Sequence, residues 1–127
     1  VLLAEDNEVD RRLTRLMLRE LSLSVHSACN GEEALEICGK GGVDLILMNV
    51  RMPIVDGVEA CRLIRERAPM GRRLPVIAIS AHVLPDAREQ FLGLGVDGYV
   101  SKPFSSARLK EEIRRCLQQA AMPDRKN

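Results

Sequence analysis

The sequence predicts an α/β fold, a single parallel sheet with helices wound over both faces, and three observations predict it. Strand-like and helix-like segments alternate from one end of the chain to the other, with no internal repeat and no interior linker. Strict alternation of this kind puts crossover helices on both sides of parallel strands. Two of the strand-like runs, residues 43–48 (VDLILM) and 75–79 (PVIAI), are almost wholly apolar, as strands buried on both faces must be. Polar residues of varied chemistry follow the strand-like runs, at the edge where open α/β sheets bind their ligands.

Residues 1–4 (VLLA) predict a short first strand. Residues 8–21 carry Val9, Leu13, Leu16, Met17 and Leu21 at helical spacing, with Asn7 as the N-cap. Residues 24–28 predict a modest second strand. Gly31, Glu32 and Glu33 open a second helix that runs through about Cys38, the acids lying where the helix dipole favours them. Gly39–Gly42 breaks the chain before the third strand at 43–48. Met52–Pro53 and Asp56–Gly57 punctuate a loop, and residues 58–67 then predict a helix through Val58, Cys61, Leu63 and Ile64. A loop over 68–74 leads to the fourth strand at 75–79. Residues 84–94 predict a further helix, 96–100 a fifth strand, and 106–120 a last helix with Leu109, Ile113, Cys116 and Leu117 on one face. Five strands so connected fit the flavodoxin-like order 2-1-3-4-5. Residues 1–121 make one domain, and the polar tail 122–127 frays.

The chain of 127 residues is 46% hydrophobic, enough for a core without disulfides. Phe91, Tyr99 and Phe104 are its only aromatics, so that core is aliphatic. A net charge of +1, with arginines scattered among acids, argues against a direct nucleic-acid or membrane surface. Cys29, Cys38, Cys61 and Cys116 form no C-x-x-C pair and read as buried, reduced thiols of a cytoplasmic protein. No apolar run approaches the ~18 residues of a membrane span. The chain opens at Val1 inside a strand-like run, so it reads as a piece of a longer protein.

Glu5 and Asp6 follow the first strand, Asn49 the third, Ser80 the fourth, and Ser101, Lys102 and Pro103 the fifth. Each alone has a plain reading: an acid favouring a helix dipole, a turn serine, a solvated lysine. Together, four strand ends deliver groups suited to one oxyanion-and-metal site. Adjacent carboxylates attract a hard divalent cation such as Mg²⁺, a lysine supplies a compact charge for phosphate, and a hydroxyl donates to a phosphoryl oxygen. The missing piece is a nucleophile. An aspartate at position 49 could attack phosphorus and become an acyl phosphate, whereas the neutral carboxamide of Asn49 cannot.

These segments resemble the receiver domains of two-component response regulators. VLLAEDNEVDRRL resembles their first strand and acidic turn, DLILMNVRMPIVDGVEA their phosphorylation-site segment, VIAISAH the switch-hydroxyl strand, and DGYVSKPF the last strand with its Lys-Pro. The likeness runs from residue 1 to about 120, and AEDNEV and SKPF look most like receivers carried on hybrid sensor histidine kinases. The resemblance implies that Glu5 and Asp6 form the acidic pocket, with Asp6 a direct Mg²⁺ ligand, and that Asn49 and the backbone carbonyl of Arg51 complete the metal site. It implies Asn49 at the phosphoacceptor position, Ser80 as the hydroxyl that follows the phosphoryl group, and Tyr99 as an aromatic switch. Lys102 would pair with the phosphoryl group and with the side chain at position 49, through a cis Lys102–Pro103 bond, and Arg51 and His82 would tune dephosphorylation. The departure at Asn49 implies weakened Mg²⁺ binding and puts phosphorylation itself in question. An engineered change, a natural pseudo-receiver and a natural Asn that deamidates all fit it.

Two readings of different class follow. In the first, the domain is a phosphorelay receiver that takes a phosphoryl group from phosphohistidine on a sensor histidine kinase or histidine phosphotransfer protein when position 49 is aspartate. As given it is not phosphorylatable and is not itself an enzyme. In the second it is a phosphorylation-independent interaction module. A flavodoxin-like nucleotide binder is disfavoured, because the AEDNE loop offers carboxylates rather than a glycine-rich anion cradle.

Overall fold

A computed structural model of the chain describes residues 1–40, 42–49, 62, 63, 66, 74–80 and 96–121, the side chains of 120 and 121 excepted. The predicted helix at 84–94, the loop carrying Arg51 to Gly57, His82 and the tail lie outside the described residues.

Five strands form one sheet: β1 (Leu2–Ala4), β2 (His26–Ala28), β3 (Ile46–Asn49), β4 (Val76–Ser80) and β5 (Gly98–Ser101). Their order is β2-β1-β3-β4-β5, and every pairing is parallel, as predicted. Three described helices accompany them: α1 (Glu8–Glu20), α2 (Gly31–Gly39) and α3 (Ser106–Ala121). Arg62, Leu63 and Glu66 are helical too, inside the segment predicted at 58–67.

Alternation along the strands divides the core in two. Leu2, Ala4, Ile46, Met48, Val76 and Ala78 pack on one face of the sheet with Ala34 of α2. Leu3, Leu45, Leu47, Ile77, Ile79 and Val100 pack on the other with Leu18 of α1 and Leu109, Ile113 and Cys116 of α3. Helices on both faces explain why 45–48 and 76–79 carry no polar residue at alternate positions.

The helix ends follow from their caps. The Asn7 side chain accepts from the Asp10 amide at 2.9 Å, and Glu8 and Asp10 lie in the first turn. The Asn30 side chain accepts from the Glu33 amide at 2.9 Å, while the Glu33 carboxylate accepts from the Cys29 amide at 2.7 Å. At the C-terminus of α1, Ser22 takes a left-handed φ of 65°. Ser22 N–H donates to Arg19 O and Leu23 N–H to Leu18 O, the Schellman pattern that satisfies the last carbonyls.

Two expectations are corrected. Val9, Leu13 and Leu16 are largely solvent-exposed, and the inward face of α1 is instead made by Thr14 and Leu18, with Met17 and Leu21 half-buried. The helix lies on the sheet through only one of its two apolar stripes. Cys29 is exposed rather than buried, whereas Cys116 is buried and Cys38 partly so. Burial pushes the thiols of Cys38 and Cys116 up to about 11, so both stay protonated at neutral pH. The apolar face expected of the last helix is borne out by Leu109, Ile113 and Cys116.

Candidate functional site

The strands place the polar residues at one edge. The ladder runs one residue further than the sequence suggested, so Asn49, Ser80 and Ser101 are the last residues of their strands rather than the first after them. Asn49 lies opposite Ile79 and Ser80 opposite Ser101, and the Lys102 amide donates to Ser80 O at 2.8 Å. Glu5 leaves β1 with its amide bonded to Ala28 O at 3.0 Å. These contacts bring the carboxyl ends of β1, β3, β4 and β5 to a common rim.

Glu5 is the hub. Its residue is 1% exposed, and a carboxylate so buried needs several partners. One oxygen, Oε2, accepts from Asn49 Nδ2 at 2.6 Å and from the Asn7 amide at 3.2 Å. The other, Oε1, has no aligned hydrogen bond but holds the Lys102 ammonium as an ion pair at 3.0 Å. Arg11 donates to the Glu5 backbone carbonyl at 3.0 Å. Asp6, exposed beside it, accepts from Asn49 Nδ2 at 3.1 Å, so the carboxamide spans both acids.

Lys102 differs from the expectation. Its partners among the described residues are Glu5 and Asp10 rather than the side chain of Asn49. The reason is charge: the neutral carboxamide attracts an ammonium less strongly than a carboxylate does, and the Asp10 carboxylate receives it at 2.8 Å. Burial acts to lower the Lys102 pKa, but the contacts with Asp10 and Glu5 outweigh it and hold the ammonium above its ordinary value. The Lys102–Pro103 bond is cis.

Tyr99 is half-buried on β5 and packs against the α2-side core. Its backbone is fixed from the opposite face by Glu112, a residue the sequence reading missed. Glu112 accepts from the Tyr99 amide at 3.1 Å, from Arg115 at 2.9 Å and from Arg108 at 3.1 Å. Desolvation would raise its pKa, but these donors overcome that and lower it. Asp10 was missed as well. Its only sequence signal was an acid in the first helical turn, which describes Glu8 equally. Arg51 lies outside the described residues, so its carbonyl is not placed.

The donor chemistry at the rim suits a small hard cation: carboxylate oxygens of Asp6 and Glu5 and an amide oxygen on Asn49. Among the described residues no set of three or more His, Cys, Asp or Glu side chains could hold a metal ion. A cation here would therefore keep waters or use backbone oxygen. A groove of about 550 Å³ lies elsewhere, between the end of α1 and α3, lined by Leu21, Ser22, Leu23, Ile113, Arg114 and Leu117 among others.

The model of the response regulator receiver domain matches residues 1–114. The chain belongs to the response regulator receiver family. Among its relatives, the hybrid signal transduction histidine kinase I of Dictyostelium discoideum is 38% identical over 119 residues, 89% of this chain and 7% of that protein. Histidine kinase 5 of Arabidopsis thaliana is 32% identical over 94% of this chain and 15% of its own length. The chain thus spans only a small part of these kinases. The receiver domain of a Pseudomonas aeruginosa sensor histidine kinase, solved with magnesium coordinated in its active-site cleft, is 38% identical, with a TM-score of 0.83 over 92% of this chain and 95% of that one. The receiver domain of the Saccharomyces cerevisiae response regulator Ssk1, solved with the histidine phosphotransfer protein Ypd1, is 26% identical, with a TM-score of 0.83 over 98% of this receiver and 92% of that chain.

Proposed function

We propose that this receiver is the acceptor module of a histidine-to-aspartate relay held in its resting form by Asn49, and that its partner is a histidine kinase or a histidine phosphotransfer protein. The observation that carries the reading is the meeting of Glu5, Asp6, Asn49 and Lys102 at one rim, with Asn49 Nδ2 shared between the two acids at 2.6 and 3.1 Å. An aspartate at position 49 would sit at that same point, with Lys102 and Ser80 on neighbouring strand ends to receive the phosphoryl oxygens. Asp6, Glu5 and the position-49 oxygen would hold Mg²⁺, which neutralises phosphoryl charge when bound. Asn49 weakens that site by removing one formal charge and turning an NH₂ towards the acids. Tyr99 would act as an aromatic switch that responds to the state of the rim.

A second reading, a phosphorylation-independent interaction module, draws support from the same rim. The rim is internally paired with Asn49 in place: its NH₂ is bonded to both acids, and Lys102 is ion-paired with Glu5 and Asp10. Under either reading the domain as given transfers no phosphoryl group and works in the cytoplasm.

The test is intact-mass measurement after incubation with acetyl phosphate and Mg²⁺. The Asn49 chain gains nothing, and Asn49→Asp gains one phosphoryl group that base removes. A stable gain at Asn49, or none in Asn49→Asp with a folded spectrum, overturns the receiver reading.

A further inference from the structure

We propose that Asp10 is a positioning residue for Lys102, holding its ammonium at the resting rim in the role that a carboxylate at position 49 would otherwise fill. The geometry is direct: Lys102 Nζ lies 2.8 Å from Asp10 Oδ2, closer than its 3.0 Å to Glu5 Oε1. Asp10 is well placed to hold it, because the Asn7 side chain caps its amide and fixes the first turn of α1. The contact spans 92 residues of sequence, so it ties the start of α1 to the loop after β5.

The ordinary reading of an acid in a first helical turn is a solvated group favouring the dipole. Glu8 fits that reading, being largely exposed and only 3.9 Å from an equally exposed Arg12. Asp10 does not. Its side chain is 37% exposed and turned towards a lysine that is 22% exposed. A carboxylate outcompetes Asn49 for that lysine, since the carboxamide is neutral and its NH₂ donates to Glu5 and Asp6. Two carboxylates therefore share Lys102, and an anion arriving at the rim has to draw the ammonium away from both.

Two measurements test this without phosphorylation, and a third rests on the receiver reading. In side-chain ammonium NMR, Lys102 of the unaltered chain gives a slowly exchanging signal, distinct from those of Lys40, Lys110 and Lys126. Asp10→Asn loses that signal while Glu8→Gln, matched in charge, keeps it. Retention in Asp10→Asn would mean that Glu5 alone holds the lysine, and the proposal fails. A double-mutant cycle then asks whether position 49 takes over: Asp10→Asn raises the unfolding constant ~5-fold beside Asn49, but less than ~2-fold in Asn49→Asp, where a second counter-ion is present. Equal effects in the two backgrounds overturn the substitution of one carboxylate for the other. Finally, Asp10→Asn and Glu8→Gln, each placed in the Asn49→Asp chain, are labelled by acetyl phosphate at rates within about 2-fold of one another, because the carboxylate at position 49 has taken Lys102 over; a several-fold difference would mean that Asp10 still holds the lysine beside that carboxylate and overturns the substitution. If Asn49→Asp takes no label at all, the receiver reading falls while the first two results still decide the place of Asp10.

Discussion

At the rim, the identity of one side chain decides the electrostatics of five. Asn49 places a hydrogen-bond donor 2.6 Å from Glu5 Oε2. Replacing it with aspartate puts a third carboxylate against two, and like charges at that distance repel strongly. The expected outcome is that Asn49→Asp lowers the melting temperature in EDTA and recovers it on adding Mg²⁺, since a ligand that binds only the native state stabilises it. The unaltered chain shows a smaller Mg²⁺ effect. Thermal melts of both proteins with and without the metal check this, and an equal response in both would mean that position 49 is not a ligand. At this scale the sequence was legible for residues at or just beyond the carboxyl end of a strand. Glu5, Asp6, Asn49, Ser80 and Lys102 are placed by topology alone, so the parallel fold locates them before any side chain is considered. Asp10 and Glu112 were not legible, because each sits in a helix among other charges and only the tertiary fold turns it inward.

Among the elements, α1 shows what periodicity can and cannot say. Val9, Leu13 and Leu16 fit a helical stripe as well as Thr14 and Leu18 do, and nothing in the spacing tells which stripe meets the sheet. The structure buries Leu18 completely and leaves Leu13 about half exposed. Leu18→Ala therefore costs about 2–5 kcal/mol of stability, the range for a buried leucine. Leu13→Ala changes it by about 0.5 kcal/mol or less, as exposed substitutions do. Denaturant titration of the two variants checks the assignment, and reversed costs would place the other stripe on the sheet. The end of α1 offers a gain. Ser22 holds a left-handed φ of 65° that costs an L-residue about 1 kcal/mol. Ser22→Gly keeps the Schellman bonds without that strain and raises stability by at most about 0.5 kcal/mol, once the roughly 0.5–1 kcal/mol of entropy that glycine loses on folding is set against it. The strands were legible to within a few residues, since runs buried on both faces admit few other readings. Their ends moved because the backbone ladder continues past the apolar run to Asn49, Ser80 and Ser101.

The molecule as a whole is clamped on the α3 side by a charged network under β5, and its dependence on pH follows. Glu112 is buried and receives donors from Arg108, Arg115 and the Tyr99 amide. Arg115 also donates to Asp97 O at 2.9 Å. The approach is so close that a Cβ on Gly98 would lie 2.2 Å from Glu112 Oε2, 2.8 Å from Arg115 and 2.9 Å from the Cys116 sulfur. Because the folded pKa of Glu112 is depressed, the unfolded chain binds the proton more readily. The contribution is then complete above the unfolded carboxylate pKa, about 4.3, and is lost as pH falls through the lower folded value. Lys102 acts at the other limit. Its folded pKa is raised, so its contribution is complete below the unfolded lysine pKa of about 10.4 and is lost as pH rises through the folded value. Glu112→Gln should therefore lower the melting temperature at neutral pH, and the gap to the unaltered chain should narrow as pH falls below about 4. Asp10→Asn should leave that acid limb in place and bring the alkaline loss to lower pH. Melting curves across the pH range separate the two. A gap for Glu112→Gln that stays constant into acid would show that its carboxylate is not what the arginines hold, and the clamp would have to rest on packing around Gly98 and Cys116 instead.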